Sequence, residues 1–393
     1  MIIKIYNIIL LFSYPLLLIL KGFSKFFCVR FGNITPHRVG HLVGELSLWY
    51  LENQKSDKNI KNFWYVSKNS CNEFFIKKIS KKINIKRNFV FKFMHDLATK
   101  FNEKKFVIEK PSYGERDMDS LINSNPNIIK FSDDEINLGN KYLEKLGLNQ
   151  NDTFVCLIIR DNFFFKNFLK GNYNYKSSEF KNSNIENYNM AAKALNKKKI
   201  KVIRMGAGSE KEWSLTDNLY NFDYSKSKFR SGFMDFYLVH RSKFTITNGT
   251  GFYWIPYLLK KPLVMADFIP IGGLCSYVPN SIHIFKHIFS NKKKRNLNLN
   301  ELLSDEYNFI YKVEDFRKKD LTYIDNNPEE INDCVEEMNN LIDKNVEINK
   351  NLQKKFWNLM PKKVNKYSFN GATHKIINAN IGSNFLKNQL NLN

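Results

Sequence analysis

The sequence predicts an α/β protein in which parallel strands alternate with helices. From residue 153 onward, short apolar runs are separated by helical patterns at the spacing of βαβ units. These runs end in glycine or charged residues, and the ligand crevice of a parallel sheet lies at the carboxyl ends of its strands. At 393 residues the chain has the length of two α/β domains of ordinary size.

The unit at residues 243–267 shows this pattern most clearly. An apolar strand at 243–247 leads into the loop Asn248-Gly249-Thr250-Gly251, then an apolar helix at 252–260 and a strand at 262–266. The first amides of a helix lack partners within it and carry the positive end of its dipole, so they favour an anion. The glycines let a ligand approach the backbone, and Thr250 adds a hydroxyl. A plain tight turn is the alternative interpretation.

Earlier elements follow the same pattern, with strands predicted at 153–160, 200–205 and 221–224 and a helix at 232–239. The first strand ends in Arg160, and the second carries Arg204 near its end. Both arginines and the loop 248–251 therefore lie at the carboxyl ends of strands, where they can meet. Their convergence predicts a ligand that bears phosphate.

Several of these elements resemble a bacterial family of glycosyltransferases with a two-domain, GT-B-like architecture. The resemblance is carried by the order and spacing of VCLIIRD (155–161), NSNIENYNMAAKALNKKKIKVIRMG (182–206), FDYSKSKFRSGFMDFYL (222–238), FTITNGTGFYWIP (244–256), FGNITPHRVGHLVGELSLWYL (31–51) and IGSNFLKNQL (381–390). A more distant similarity is to the O-fucosyltransferase-like group. There an Arg closing the first strand of the second domain contacts the donor diphosphate, a role that falls on Arg160 here.

The resemblance implies two Rossmann-like domains with a cleft between them. On this basis we expect a hydrophobic N-terminal segment at 1–25, an acceptor domain at 26–148, a nucleotide-sugar domain at 149–325, and helices at 326–393 that pack back across the domains.

The implied activity is transfer of a sugar from a nucleotide-sugar donor to a cell-surface glycan or lipid-linked acceptor, as in polysaccharide or lipopolysaccharide biosynthesis. Arg160 and the loop 248–251 would neutralise the leaving diphosphate in place of a metal ion. Arg204 is a secondary candidate for this role, and Asp235 is a candidate contact for ribose or base. No cofactor is expected, because the nucleotide sugar is a substrate.

In the first domain a strand at 26–31 precedes a loop and a helix at about 41–52. In a GT-B arrangement the start of this helix would face the cleft, which places Arg38 and Gly40 on the acceptor side. His41 titrates near neutral pH and would act as a base or hold an anion. Glu45 shares its helix face at i+4 spacing. A purely structural histidine is the alternative.

Residues 5–20 are almost wholly apolar and are followed by Lys21, Lys25 and Arg30. The run is shorter than the roughly 20 residues of a spanning helix, and no small-x-small cleavage site follows it. The pattern favours an anchoring or interfacial helix, which would hold the protein at the cytoplasmic face of the inner membrane. A helix packed on the protein's own surface is the alternative.

The formal net charge of +23 implies attraction to anions such as membrane surfaces, nucleotide sugars or nucleic acid. An AT-rich coding bias explains part of it, since Lys, Asn, Ile and Phe are abundant together. The five cysteines are scattered, which indicates a reducing compartment and no zinc site.

Asp117-Met118-Asp119 has the D-x-D form that holds Mg²⁺ or Mn²⁺ in other glycosyltransferases, but polar, turn-like residues precede it instead of a strand. No metal is therefore expected. An NAD(P)-dependent nucleotide-sugar oxidoreductase or epimerase would use Gly206-Ala207-Gly208, which lacks the third glycine of the dinucleotide fingerprint. A nucleic-acid-binding protein would use the charge, but no element interleaves basic and aromatic residues, so no nucleic-acid partner is expected.

Overall fold

A computed structural model describes residues 2–54, 59–125, 128–168, 175–215, 220–344, 346–361 and 374–391. The chain divides into two compact units, residues 1–115 and 116–393. Residues 116–148, predicted as part of the first domain, thus belong to the second. Arg116 donates hydrogen bonds of 2.7 and 2.8 Å to the carbonyls of Gly273 and Leu274. The Tyr257 hydroxyl donates to Asp117 at 2.6 Å.

The first unit contains a parallel sheet in the order β1-β2-β3. Its strands are β1 (Cys28–Asn33), β2 (Ile60–Tyr65) and β3 (Ile85–Lys86). Its α-helices are α1 (Ile2–Phe12), α2 (Tyr14–Phe23), α3 (Leu46–Glu52), α4 (Glu73–Ile79) and α5 (Phe89–Lys100). A short π-helix, His41–Glu45, runs directly into α3. The predicted strand and helix of this unit are therefore confirmed.

Helices α1 and α2 pack on α5. Leu10 and Leu17 are only 3% and 1% exposed and share a hydrophobic cluster with Leu97 and Phe106. Among the described residues no single helix is long and apolar enough to cross a membrane. Residues 4–12 and 14–23 meet that test of length and composition only as a pair, bent by 41°.

The second unit is built on a larger sheet. Its described strands lie side by side in the order β13-β9-β8-β7-β4-β5-β6, and each neighbouring pair is parallel. The strands are β4 (Phe154–Ile158), β5 (Lys201–Arg204), β6 (Asn221–Asp223), β7 (Thr245–Thr247), β8 (Leu263–Phe268), β9 (Ser281–Phe285) and β13 (Asn380–Ile381). A parallel α/β unit is thus confirmed.

Strand order reverses between β4 and β7. The chain begins at β4, adds β5 and β6 on one side, and then returns to add β7, β8 and β9 on the other. This is the order of a doubly wound Rossmann sheet, whose ligands bind at the reversal, outside the carboxyl ends of the strands. The fold therefore singles out the ends of β4 and β7.

Helices cover this sheet, and a small antiparallel sheet is appended to it. The helices are α6 (Leu121–Ser124), α7 (Asp133–Lys145), α8 (Phe163–Phe168), α9 (Asn189–Lys197), α10 (Gly232–Arg241), α11 (Trp254–Leu258), α12 (Leu299–Leu303), α13 (Val313–Lys318), α14 (Pro328–Ile342), α15 (Lys350–Leu359) and α16 (Ser383–Gln389). The small sheet has the order β11-β10-β12, from β10 (His287–Ser290), β11 (Arg295–Asn296) and β12 (Leu321–Ile324).

The edge of the large sheet is completed by β13, which pairs with β9. The buried Gln353 side chain of α15 holds this strand through hydrogen bonds to both backbone polar groups of Ile381. Its amide nitrogen donates to the carbonyl of Ile381 at 2.7 Å, and its oxygen accepts from the Ile381 amide at 2.8 Å. The C-terminal helices α14 to α16 all belong to the second unit.

Candidate active site

Arg160 lies two residues beyond the end of β4, beside the reversal of strand order. Its guanidinium donates a 2.8 Å hydrogen bond to the hydroxyl of Ser178 and lies over the ring of Phe165, 4.8 Å from the ring centre. The side chain is half-buried. The adjacent carboxylate of Asp161 instead accepts from the amides of Phe163 and Glu210, at 2.9 and 2.8 Å. The Arg160 guanidinium is therefore oriented by a hydroxyl and a ring.

Asn248 joins the ends of β4 and β7 across the reversal. Its side-chain oxygen accepts a 2.9 Å hydrogen bond from the amide of Arg160. Its nitrogen donates to the carbonyl of Lys181 and to the hydroxyl of Ser183. Because the side chain is buried and used in this way, Asn248 fixes the positions of the two loops and offers little to a ligand directly.

The rest of the loop presents backbone amides. The amides of Thr250 and Gly251 donate to no acceptor within the described part of the chain. The Thr250 hydroxyl, in contrast, accepts from the amide of Phe252 at 3.0 Å and caps the helical turn that follows. Gly249 has a φ of +73°, and a Cβ at this position would lie 2.9 Å from the ring of Phe268. Glycine is therefore required at 249, and the predicted hydroxyl contact from Thr250 is replaced by a cap.

Arg204 is not brought into this group. Its side chain is 4% exposed, and its guanidinium donates to the carbonyl of Lys211 at 2.8 Å. It also lies 3.5 Å from the carboxylate of Asp223. Burial among these partners makes Arg204 a structural group at the end of β5.

Asp235 is buried in the first turn of α10. Its carboxylate accepts a 3.1 Å hydrogen bond from the Tyr224 hydroxyl and lies 4.0 Å from the guanidinium of Arg230. Burial raises the pKa of Asp235 to about 6, and both neighbours oppose that rise. The sequence analysis did not name Arg230, whose guanidinium also donates to the carbonyl of Gly206 at 2.6 Å.

In the first unit, His41 lies between two carboxylates. Its Nδ1 is 2.8 Å from the carboxylate of Glu45 and also contacts the carboxylate of Glu115. The π-helical winding of residues 41–45 brings His41 and Glu45 onto one face, and π-helical turns occur frequently at functional sites. Glu115 was missed by the sequence analysis, because it follows a glycine turn with no periodic signal.

The carboxylates control the charge of His41. Burial alone would lower the pKa of this side chain, but its hydrogen bonds to the carboxylates of Glu115 and Glu45 outweigh burial and raise the pKa to about 9. Both contacts use Nδ1, so Nε2 is the ring nitrogen that remains to exchange a proton with another group. Arg38 lies close enough to act on this pKa, and Gly40 precedes the π-helix.

The same three side chains could hold a divalent cation, since their ligand atoms all lie within 4.8 Å of one another. The D-x-D pair is built differently. Asp117 is buried and accepts from the amides of Leu121 and Ile122 at 2.7 and 2.8 Å, which occupies both carboxylate oxygens. Asp119 pairs with Lys375. Asp117 is therefore a helix-capping and packing residue.

The chain is similar to solved structures of glycosyltransferases. ADP-heptose lipopolysaccharide heptosyltransferase II of E. coli is 12% identical with a TM-score of 0.45, and the match covers 81% of this chain and 99% of that one. The glycosyl transferase family 9 protein of Veillonella parvula is 12% identical with a TM-score of 0.41, over 66% of this chain and 86% of that one.

A third similar structure is the dodecameric iron-containing heptosyltransferase TibC in complex with ADP-D-beta-D-heptose. It is 12% identical with a TM-score of 0.39, and the match covers 81% of this chain and 77% of that chain. No protein-family model and no curated protein matches this chain. These similarities are distant in sequence.

Proposed function

We propose that this chain is a glycosyltransferase that moves a sugar from a nucleoside diphosphate donor to a glycan or lipid-linked acceptor. The observation that carries the proposal is the pairing of Arg160 with the loop 248–251 at the reversal of strand order. A hydrogen bond between Asn248 and the Arg160 amide fixes the two against each other. A doubly wound sheet binds its ligand at this point.

The chemistry of these groups suits a leaving diphosphate. A guanidinium can pair bidentately with phosphate oxygens, and its charge does not titrate away. The amides of Thr250 and Gly251 add fixed donors beside it. Because these donors are held by Ser178, Phe165 and Asn248, they need little reorganisation as negative charge grows on the departing oxygen. This is the work that a metal ion does in other glycosyltransferases.

In the proposed reaction His41 is the general base toward the acceptor hydroxyl. Nε2 would take the proton, while Glu45 and Glu115 hold Nδ1 and stabilise the imidazolium that forms. A carboxylate paired with histidine serves the same purpose in hydrolytic triads. Glu45 and Glu115 are positioning residues in this scheme. We expect the acceptor to bind near Arg38 and Gly40.

The positions of the glycine turn and the first strand do not match those expected for the oxidoreductase alternative. In dinucleotide-binding folds the glycine-rich turn follows the first strand and opens a helix. Here the first strand, β4, is followed by Arg160-Asp161, and the Gly206–Gly208 turn after β5 opens no helix. A Cβ at Gly208 would lie 2.2 Å from the ring of Phe163. A side chain therefore fills the space that a pyrophosphate would need.

The test is binding of nucleotides to the wild-type chain and to Arg160→Ala. ADP, GDP and UDP are compared with NAD⁺, NADP⁺ and a short oligonucleotide by thermal shift and calorimetry. We expect at least one nucleoside diphosphate to bind the wild type. Loss of one charge-assisted contact in Arg160→Ala should weaken it by roughly 1.5–3 kcal/mol.

Arg241→Ala is the matched control, because Arg241 ends α10 before the start of β7, at the amino-terminal side of the strands, and its guanidinium donates to the carbonyl of Gln150. It should bind nucleotide as the wild type does. Unchanged affinity in Arg160→Ala would remove Arg160 from the site. Preferential binding of NAD⁺ or NADP⁺ would overturn the transferase proposal itself.

A further inference from the structure

The N-terminal helices α1 and α2 have two apolar faces, and only one is covered by protein. The covered face holds Leu10 and Leu17, which pack against α5. The other face is exposed along both helices, with Phe12 83% exposed, and Phe26 beyond the end of α2 is 79% exposed. The remaining exposed apolar residues of this face are Ile5, Ile8, Ile9, Leu11, Leu16, Leu18, Ile19, Phe23 and Phe27. Soluble monomers rarely expose so large an apolar patch.

The first turn of α5 adjoins α1, since the ring centre of Phe89 lies 6.0 Å from that of Tyr6, and both Phe89 and Val90 are more than half exposed. Residues 5, 8, 9 and 12 follow the i, i+3, i+4, i+7 spacing of one helix face, so the exposure comes from the periodicity of the sequence. We define the docking face as the exposed apolar residues of α1 and α2, together with Phe26, Phe27, Phe89 and Val90.

The charges beside the docking face are predominantly basic. No Asp or Glu occurs among residues 1–44, whereas Lys4, Lys21 and Lys25 are exposed along or beside the two helices. Lys104 and Lys105 are exposed nearby, and Lys105 donates to the hydroxyl of Ser24 at 2.8 Å. The described acidic groups that contact the two helices are themselves paired, Glu103 with Lys21 and Asp96 with Lys92. A basic rim around an apolar face complements a surface of anionic lipid headgroups.

Several contacts hold the two helices to the unit along their length. The Tyr6 hydroxyl donates to Asp96 at 2.9 Å, and Lys100 donates to the carbonyl of Asn7 at 2.9 Å. Tyr14 lies against Phe101, with ring centres 4.6 Å apart. To cross a bilayer, the segment would have to break these contacts and expose the buried cluster of α5. At 11 and 10 residues, each helix is also about half the length of a spanning helix.

We propose that the docking face lies in the plane of a bilayer that contains anionic lipid, with the apolar side chains inserted and the lysines at the headgroups. The sequence alone leaves open whether residues 1–21 span the membrane or lie on it, and the packing of Leu10 and Leu17 favours lying on it. The inference does not depend on the proposed transferase activity, because the test below measures no turnover.

The test uses the full chain and sedimentation with two kinds of vesicle, phosphatidylcholine alone and an equal mixture with phosphatidylglycerol. We expect binding to the mixed vesicles. The variant Ile8→Ser/Phe12→Ser/Ile19→Ser removes three inserted side chains and should bind at least about tenfold more weakly. Replacing Lys4, Lys25 and Lys104 by Gln should weaken binding by roughly fivefold per lysine, only where anionic lipid is present.

The matched control is Leu138→Ser/Ile324→Ser/Leu359→Ser, which changes three comparably exposed apolar residues of the second unit. It should bind vesicles as the wild type does. Circular dichroism of all variants excludes unfolding as the cause of a loss. Binding that is equal in the docking-face variant and the wild type would overturn the proposal. A second outcome would also overturn it. If the wild type binds no vesicles and forms a dimer in light scattering, and the docking-face variant dissociates this dimer, the face binds a second copy of the chain.

Orientation is tested with tags at both ends of the chain, digested by protease added outside the vesicles. A helix pair that lies in the plane leaves both tags accessible. Protection of the N-terminal tag alone would show that the segment crosses the bilayer and would overturn the in-plane arrangement.

Discussion

At the scale of single residues, the two carboxylates around His41 decide how activity should depend on pH. The raised pKa of about 9 means that most of the imidazole is protonated at neutral pH in the free protein. A general base must be unprotonated to work. Hence the same contacts that orient His41 also restrict the pH range in which it can act as a base.

We therefore expect kcat/KM to rise as the pH increases from 7, to reach half of its maximum near pH 9, and to level off above that. His41→Asn should lose this rise together with roughly 10²–10⁴-fold in rate, the usual contribution of general base catalysis. Glu115→Gln removes one of the hydrogen bonds that raise the pKa, so its profile should level off at a lower pH. The measurement is a pH profile of kcat/KM for the three proteins. If the rate instead falls from pH 7 to 9, His41 would act in its protonated form, as a cation that binds an anion.

The same pKa carries a stability term whose sign follows from linkage. Because the folded pKa of His41 lies above its unfolded value of 6.5, the stabilisation is fully present below pH 6.5 and is lost as the pH rises through about 9. As the pH rises from 6.5 through about 9, the free energy of unfolding of the wild type should fall relative to that of His41→Asn. This comparison separates the effect of pH on folding from its effect on rate.

At the scale of secondary-structure elements, α2 combines a structural role with the proposed membrane role. Its buried Leu17 belongs to the cluster of α5, while the next residue, Leu18, is half exposed on the docking face. The sequence shows only an apolar run from 5 to 20, in which these two leucines are equivalent. Packing against α5 distinguishes them.

We expect Leu17→Ala to lower the free energy of unfolding of the first unit by about 2–5 kcal/mol, as truncation of a buried leucine does. Leu18→Ala is the adjacent control and should change it by no more than about 0.5 kcal/mol. Denaturant titration in the absence of lipid measures both. If Leu17→Ala had no effect, the segment would be a detachable anchor instead of part of the unit.

The local sequence predicts several elements well because their signals are local. The apolar runs of β4, β5, β7 and β8 lie where expected. The loop 248–251 also lies where expected, but the Thr250 hydroxyl bonds to the backbone two residues ahead. A pattern of residue types does not reveal whether a hydroxyl points at a ligand or at its own helix.

At the scale of the whole molecule, the second unit depends on contacts that are distant in sequence. Arg116 and Asp117 bond to residues more than a hundred positions later, which places residues 116–148 in the second unit. No local pattern reports such contacts, and the predicted boundary therefore follows the end of α7. Burial of Arg204 and the partnership of His41 with Glu115 were unpredictable for the same reason.

We expect turnover by the complete protein to be independent of metal and therefore to survive EDTA. The Asp117 carboxylate accepts hydrogen bonds from two backbone amides and the Tyr257 hydroxyl. Both of its oxygens are therefore already in use, and neither is free to bind a metal. Once a donor and an acceptor are identified, the assay compares the rate before and after chelation and dialysis. Complete loss that Mn²⁺ restores would contradict this expectation. In that case Glu45→Gln should abolish the restoration, because Glu45 belongs to the group of side chains that could hold a cation.

The way in which β13 completes the large sheet bears on how the protein is made. Asn380 and Ile381 leave the ribosome after every other described strand, so the unit cannot finish its sheet until synthesis has passed them. Until then β9 presents unpaired backbone groups along an apolar edge, which is a template for pairing with another nascent chain. Premature termination before residue 380 should thus produce aggregates instead of a shortened but soluble unit. Quality control of this protein would then depend on whether synthesis has reached β13.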